Sequence, residues 1–557
     1  MRYGRGLGAV AAASVLALGA AACGGSDDGG GGGGDEGGGS AKQGGSIKVG
    51  TVGPDSYDPA LFQTIQAVQA LNLVYTGLTT YRHEAGKAGG EVIPGLATDT
   101  GKVSNGGKTY EFTLRKGLKY SDGTPVKASD FEHAMQRILT LKGPYSSFFS
   151  GIVGAADYQE AGKPTEDIKG IETDDQTGKI TITLEAPDGK FPYALSEPYA
   201  APVPTDKAKF KSMTEDPPPG VGPYTLKVVD PSREFILEQN PNFNIEGLPK
   251  GNIKTITGVV TDSVPKMTQD VINNRLDFMT EDPTGDLLPT VRTKYKDRFR
   301  QDDVPPNTYY FFFNVTQPPF DKLEARQAVN YALDSRALVR VFGGRLKPGC
   351  TFLPPDLVGY KDYPCPYGDP NGPGDVAKAK QLVQQSGTAG QTVTVWTNNK
   401  DPRPAIASYY ADVLEQIGYQ TKIKTLDQQV YFDRIGTKST KAQTGFTDWF
   451  QDFPHPADFF EPLLTTESLQ STPTSNQGFV SDPQLDDQTQ KLTQAPELDK
   501  VAPQWGDLDE YVVKDKAYIA PYGYEEKTTF MSERMDFQNC AGLHPVWQND
   551  WTQFCLK

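Results

Sequence analysis

The residues best suited to acid–base work, nucleophilic attack or metal binding in this 557-residue chain are four histidines and five cysteines. His83, His133, His455 and His544 form no HExxH pair, so a zinc-protease reading has no support. There is no GxSxG elbow to expose an acyl-transfer serine. There is also no GxxxxGK(S/T) loop to cradle a triphosphate, so the chain itself is not expected to hydrolyse ATP. Gly220-Val-Gly222 lacks the third glycine of a dinucleotide fingerprint and reads as a rigid, proline-rich turn. Asp and Glu total 70, too many for any pair to stand out as acid and base. Neither a cofactor nor a metal is called for, and His455 reads as a surface group rather than a nickel ligand.

Cys23 stands alone near the start, whereas Cys350, Cys365, Cys540 and Cys555 fall into two equally spaced pairs. In an exported protein an even set reads as disulfides. Four cysteines allow three connectivities. The equal spacing favours Cys350–Cys365 and Cys540–Cys555, and the metal alternative lacks CxxC spacing.

The N-terminus supports export. Arg2 and Arg5 precede an uncharged, Ala- and Gly-rich stretch that is short for a membrane span, which is the pattern of a secretory signal. It ends in Leu18-Gly-Ala-Ala-Ala-Cys23, which resembles a bacterial lipobox with Ala20 where that box usually has Leu. Cys23 is then the lipidated first residue of the mature protein, and residues 1–22 the lipoprotein signal. From Gly24 to Gly45, 13 of 22 residues are glycine, so residues 23–45 read as an anchored, flexible tether. The formal net charge is −15, and removal of Arg2 and Arg5 makes the mature chain still more acidic. A nucleic-acid binder would show a basic surplus, so that partner is excluded.

The body begins near Ser46. Thr109–Leu114 and Lys179–Glu185 alternate as half-buried strands, and Asp130 reads as the N-cap of a helix running to Leu141. Helices are expected from Asp321 to Ala332 and, capped by Asp334, through Phe342. The clearest unit is a strand at 392–397, a helix with Pro404 near its start and Gly418 after its end, and a strand at 420–425. A βαβ unit implies parallel strands. The class is therefore α/β, with hairpins over the first 260 residues.

Four segments resemble the solute-binding proteins of peptide and nickel ABC importers, family 5. They are Leu114-Arg-Lys-Gly-Leu-Lys-Tyr-Ser-Asp-Gly-Thr-Pro-Val-Lys-Ala-Ser-Asp-Phe131; Gly220-Val-Gly-Pro-Tyr224; Phe313-Asn-Val-Thr-Gln-Pro-Pro-Phe-Asp321 with Arg326-Gln-Ala-Val-Asn-Tyr-Ala-Leu-Asp334; and Trp449-Phe-Gln-Asp-Phe-Pro-His-Pro456. The resemblance spans about 46–557. It implies a two-lobed, periplasmic-binding-protein-like clam-shell of the class II type with an additional inserted domain. Lobe I would comprise 46–85, 201–308 and 522–557, the extra domain 86–200, and lobe II 309–521.

The same resemblance implies a peptide ligand, with Asp452 pairing its α-ammonium and Trp449 and Phe450 walling the pocket. Gln63, Thr64 and Ile65 resemble a strand whose backbone borders the peptide, and Tyr145 resembles a tyrosine lining the cleft. The first three segments read as fold-supporting turns and polar contacts, including Arg326 and Asp334. The implied partners are a membrane permease with separate ATPase subunits and the membrane itself, through the lipid, on its extracytoplasmic face. The protein would be a monomer and not an enzyme. Two alternatives stand beside this reading. One is the same fold carrying a nickel complex, oligosaccharide, opine or haem. The other is a secreted hydrolase or surface sensor.

Overall fold

The computed structural model describes residues 44–162, 167–283, 287–301, 305–470, 473–540 and 542–557. The proposed signal, Cys23 and nearly all of the proposed tether lie outside the described residues. Among those described, no helix is long and apolar enough to cross a membrane.

Three sheets organise the body. In the first, Ser46–Thr51 runs parallel to both Thr255–Val260 and Phe278–Met279. The hairpin Tyr224–Asp230 and Glu234–Gln239 extends it on the side of Thr255–Val260. In the second, the order is 346–347, 519–525, 307–313, 444–450, 392–398, 420–426. The third is antiparallel and lies within 86–200, in the order Lys102–Ser104, Thr109–Thr113, Lys179–Thr183, Ile171–Asp174. Its two central strands bury alternate residues (Tyr110, Phe112, Ile180 and Ile182), as a sheet covered on one face requires. Asn307–Phe313 is instead buried at every position, the pattern of a central strand covered on both faces.

The βαβ unit forms as the pattern predicts. Thr392–Asn398 pairs in parallel with Gln420–Leu426. The connecting helix Arg403–Gln416 carries Pro404 in its first turn and buries Ile406, Tyr410, Val413 and Leu414. Asp334 caps Ser335–Val341 by accepting from Arg336 N at 3.0 Å. The preceding helix starts at Leu323, two residues later than expected.

Asp130 is not an N-cap. It lies inside the helix Ser129–Thr140, behind Ala128. Its carboxylate instead accepts from Lys127 N (2.9 Å), Tyr120 Oη (3.0 Å), Thr205 N (3.0 Å) and Thr205 Oγ1 (2.9 Å). One buried acid therefore stitches three chain segments. A few residues further along this helix, Arg137 makes a two-pronged pair with Asp58, Nη1–Oδ1 at 3.1 Å and Nη2–Oδ2 at 2.8 Å. Their side chains are 1% and 0% exposed. Asp58 also accepts from Met213 N at 2.9 Å, so the pair ties the first sheet's connections to the antiparallel layer. Arg326 is likewise structural, donating to the carbonyls of Phe320, Lys516 and Ala517.

The chain crosses from the first sheet to the second between Met279 and Asn307, and between Glu525 and Thr528 it crosses from the second sheet to a separate two-stranded ribbon of Phe299–Gln301 and Thr528–Phe530. Asn307–Phe313 and Ile519–Glu525 lie wholly in the second sheet, so the expected lobe boundaries at 308/309 and 521/522 fall inside continuous strands. Asp282 fastens the crossings, accepting from Thr528 N at 2.9 Å and pairing with Arg345 at 3.2 Å and Lys527 at 3.4 Å. The sulfurs of Cys350 and Cys365 are 1.92 Å apart, and those of Cys540 and Cys555 are 1.77 Å apart.

Candidate functional site

The strand Thr444–Phe450 runs antiparallel to Asn307–Phe313 over its whole length. On its other side it pairs with Thr392–Asn398 only at Thr444 and Gly445. Beyond that fork, the Tyr431 hydroxyl sits between Trp396 O (3.1 Å) and Phe446 O (2.7 Å) and holds the strands apart. From Thr447 to Phe450, no strand among the described residues pairs with this edge. Its backbone groups can accept a further partner, an extended chain laid alongside.

The strand then turns through Gln451–Pro456 into the helix Ala457–Leu464. Asp458, in the first turn of that helix, fixes the turn. Its Oδ2 accepts from Asp452 N at 2.9 Å and from Trp449 Nε1 at 3.2 Å. The Asp452 side chain has no hydrogen-bond or ion-pair partner among the described residues. Burial raises its pKa above the ordinary carboxylate range. Burial raises Asp458 further, and the Asp452 charge adds to the effect. A third acid, Glu197, is 3% exposed, and its Oε1 has no partner. Burial, and then the Asp452 charge, push it well above the usual range. Three acids thus share one poorly solvated region. Burial disfavours the charged form of Asp458 and Glu197 more than that of Asp452, so a negative charge here settles first on Asp452 and invites a cation.

Aromatic rings close around it. Tyr145 stacks on Tyr199 with centroids 4.4 Å apart and lies 5.5 Å from Phe148. Phe148 meets Phe453 edge-on at 5.3 Å, bringing the antiparallel layer against the segment that carries Asp452. Burial, and then Asp452, raise the Tyr145 hydroxyl pKa. Lys190 bridges the same divide, 3.0 Å from Asp188 and 3.3 Å from Glu461.

Trp449, Phe450, Asp452 and Tyr145 are therefore brought into one neighbourhood. Gln63, Thr64 and Ile65 do not form the strand expected of them. Thr64 N-caps the helix Ile65–Leu71, and Asp55 takes the N–H groups of Gln63 and Thr64 at 3.0 Å each. Tyr145 Oη donates to Gln63 O at 3.1 Å. These main-chain groups are already occupied within the protein. His455 is not a surface group: it is 0% exposed, enclosed by the rings of Tyr193 and Trp505. Its Nδ1 accepts from Ala457 N at 3.1 Å, and burial pushes the imidazole down to about 3, so it is neutral.

Sequence reasoning missed Asp458, Glu197, Tyr199, Phe148 and Phe453. Asp458 carried a weak signal, an acid in a helix's first turn just after a marked motif. Glu197 carried none.

A cavity of about 320 Å³ opens beside Asp452 and along Thr447–Phe450. A larger crevice, about 570 Å³, lies between Phe148–Phe191 and Glu461–Gln494.

The family model for bacterial extracellular solute-binding proteins, family 5, matches residues 91–470. The dipeptide-binding protein DppE of Bacillus subtilis is 27% identical over 446 residues, covering 76% of this chain and 78% of its own. The periplasmic murein peptide-binding protein MppA of Escherichia coli is 27% identical over 431 residues, covering 74% of this chain and 76% of its own. Among solved structures, clavulanic acid biosynthesis oligopeptide binding protein 2 superposes with a TM-score of 0.85 at 23% identity. That match covers 93% of this chain and 96% of the other, so the two-lobed α/β fold is shared.

Proposed function

Because the chain belongs to the bacterial extracellular solute-binding proteins of family 5, we propose that it captures peptides between two lobes and delivers them to an import permease. The observation that carries this reading is Asp452, a desolvated carboxylate without a counter-charge at the end of a strand whose edge is open. A free peptide offers what both features lack, an α-ammonium and an extended backbone. The ammonium pairs with Asp452 and sets the register. Main-chain bonds along Thr447–Phe450 give affinity without reading side chains. Tyr145, Trp449 and Phe450 wall the ligand. The names of the relatives DppE and MppA, both peptide binders, support this cargo.

Lobe I comprises 46–85, 201–306 and 526–557, lobe II comprises 307–525, and the third domain is 86–200. Opening separates Phe148 from Phe453 and Lys190 from Glu461. Ligand favours closure only as far as it binds the closed state more tightly. The monomer is tethered through lipidated Cys23 to the outer face of the cytoplasmic membrane, and separate ATPase subunits power import. It binds its cargo without converting it.

Calorimetry with short peptides and their N-acetylated forms tests the reading. Peptides bind, and acetylation removes most of the affinity. Equal binding of both forms would overturn the amine contact. Binding of a nickel complex, oligosaccharide, opine or haem in place of peptides would overturn the cargo.

A further inference from the structure

The 320 Å³ cavity carries more charge than one ammonium needs. Its lining includes Phe432, Asp433, Thr447, Asp448, Trp449 and Phe450. Asp452 contributes as well, and among the described residues no lysine or arginine lines it. Asp448 is already neutralised, its Oδ2 lying 2.6 Å from Arg403 Nη2. Asp433 has no ion pair or side-chain hydrogen bond among the described residues. With Asp452 committed to the ligand's ammonium, the solvent-exposed Asp433 remains as a second negative charge lining the same cavity.

The walls point the same way. Phe432 and Phe450 are 40% and 38% exposed, two of the few large apolar side chains left facing solvent. An exposed aromatic face beside a carboxylate is a poor site for an anion and a weak one for water. It is a good one for the alkyl stem and cationic head of a basic side chain, since cation–π contact contributes roughly 0.5–2 kcal/mol. The volume lies at the low end of small-molecule sites, roughly 300–1,000 Å³, which suits one long side chain with water.

We propose that this cavity selects peptides carrying lysine or arginine within their first three residues, with the stem against Phe432 and Phe450 and the head at Asp433. The inference rests on the peptide-binding reading and adds a preference to it. It is tested by calorimetry with trialanine and with tripeptides bearing lysine, norleucine or glutamate at each position in turn. Norleucine keeps the apolar length of lysine without its charge. At one position lysine binds about tenfold more tightly than norleucine, and glutamate more weakly than either. Asp433→Asn abolishes the lysine preference and leaves trialanine affinity unchanged, which also reports that the variant is folded. Lysine and norleucine binding alike at all three positions would overturn the selectivity, as would a preference surviving in Asp433→Asn. If no peptide binds the wild-type protein, the peptide-binding reading fails first, and the preference falls with it.

Discussion

Peptide affinity is predicted to be bell-shaped in pH, with Asp452 setting the acid limb. Binding an ammonium requires the ionised carboxylate. Burial holds the Asp452 pKa above the ordinary carboxylate range, so affinity falls at a higher pH than an exposed aspartate would allow. The sign follows from the protonated form being the incompetent one. Affinity is level above the raised pKa and drops about tenfold for each pH unit below it. The alkaline limb belongs to the ligand, whose free α-amine titrates at about 7.7–8.0. Asp452→Asn keeps the size of the side chain but removes the charge. Burial raises the pKa of both Asp458 and Glu197, which disfavours the charge either would need to substitute, so the buried ammonium is left unpaired. Breaking one half of a buried pair costs about 3–5 kcal/mol, or two to four orders of magnitude in Kd. Calorimetry of trialanine with wild type and Asp452→Asn across about pH 4–9 separates the two limbs. An acid limb that survives in Asp452→Asn would refute the assignment. A wild-type limb beginning only near pH ~3.9 would refute the argument from burial.

Two predictions concern the scaffold. Arg137→Ala should lower unfolding stability by about 3–5 kcal/mol, since it strands Asp58 in the interior; urea denaturation followed by tryptophan fluorescence measures it. The charge of His83, 2.7 Å away, holds Asp550 at about 2 despite burial. A depressed carboxylate stabilises the fold above its unfolded pKa of ~3.9 and loses that contribution as pH falls toward about 2, about 2–3 kcal/mol in all. Asp550→Asn should therefore flatten the pH dependence of stability across that window, and an unchanged slope in acid denaturation would argue against it.

What the sequence revealed follows the range of the forces involved. The βαβ unit was legible because periodicity, Pro404 and Gly418 are all local signals acting within one segment. The alternation at 109–113 and 179–183 was legible for the same reason. Asn307–Phe313 carries no period at all, since a strand covered on both faces has no polar side to mark it. The site was half legible. Asp452 sits in a motif, but its chemistry depends on Glu197, more than 250 positions earlier, and on the rings of Tyr145, Phe148 and Tyr199. The fate of Gln63–Ile65 was misread because Asp55, an acid eight and nine residues upstream of Gln63 and Thr64, claims their N–H groups and starts a helix there. His455 was misread because the side chains that enclose it, Tyr193 and Trp505, come from distant segments.

The open edge at Thr447–Phe450 also bears on self-association. Unpaired strand edges are where chains aggregate, because any other extended segment can dock there. Here the unpaired stretch is only four residues long. Tyr431 plugs it at one end, and the turn toward Pro454 ends it at the other. Asp452 beside it sets a charge condition that a neutral or acidic strand, including most of this acidic chain, does not meet. The same geometry that would accept the ammonium end of a short peptide would therefore discourage a second copy of the protein from adding itself to the sheet.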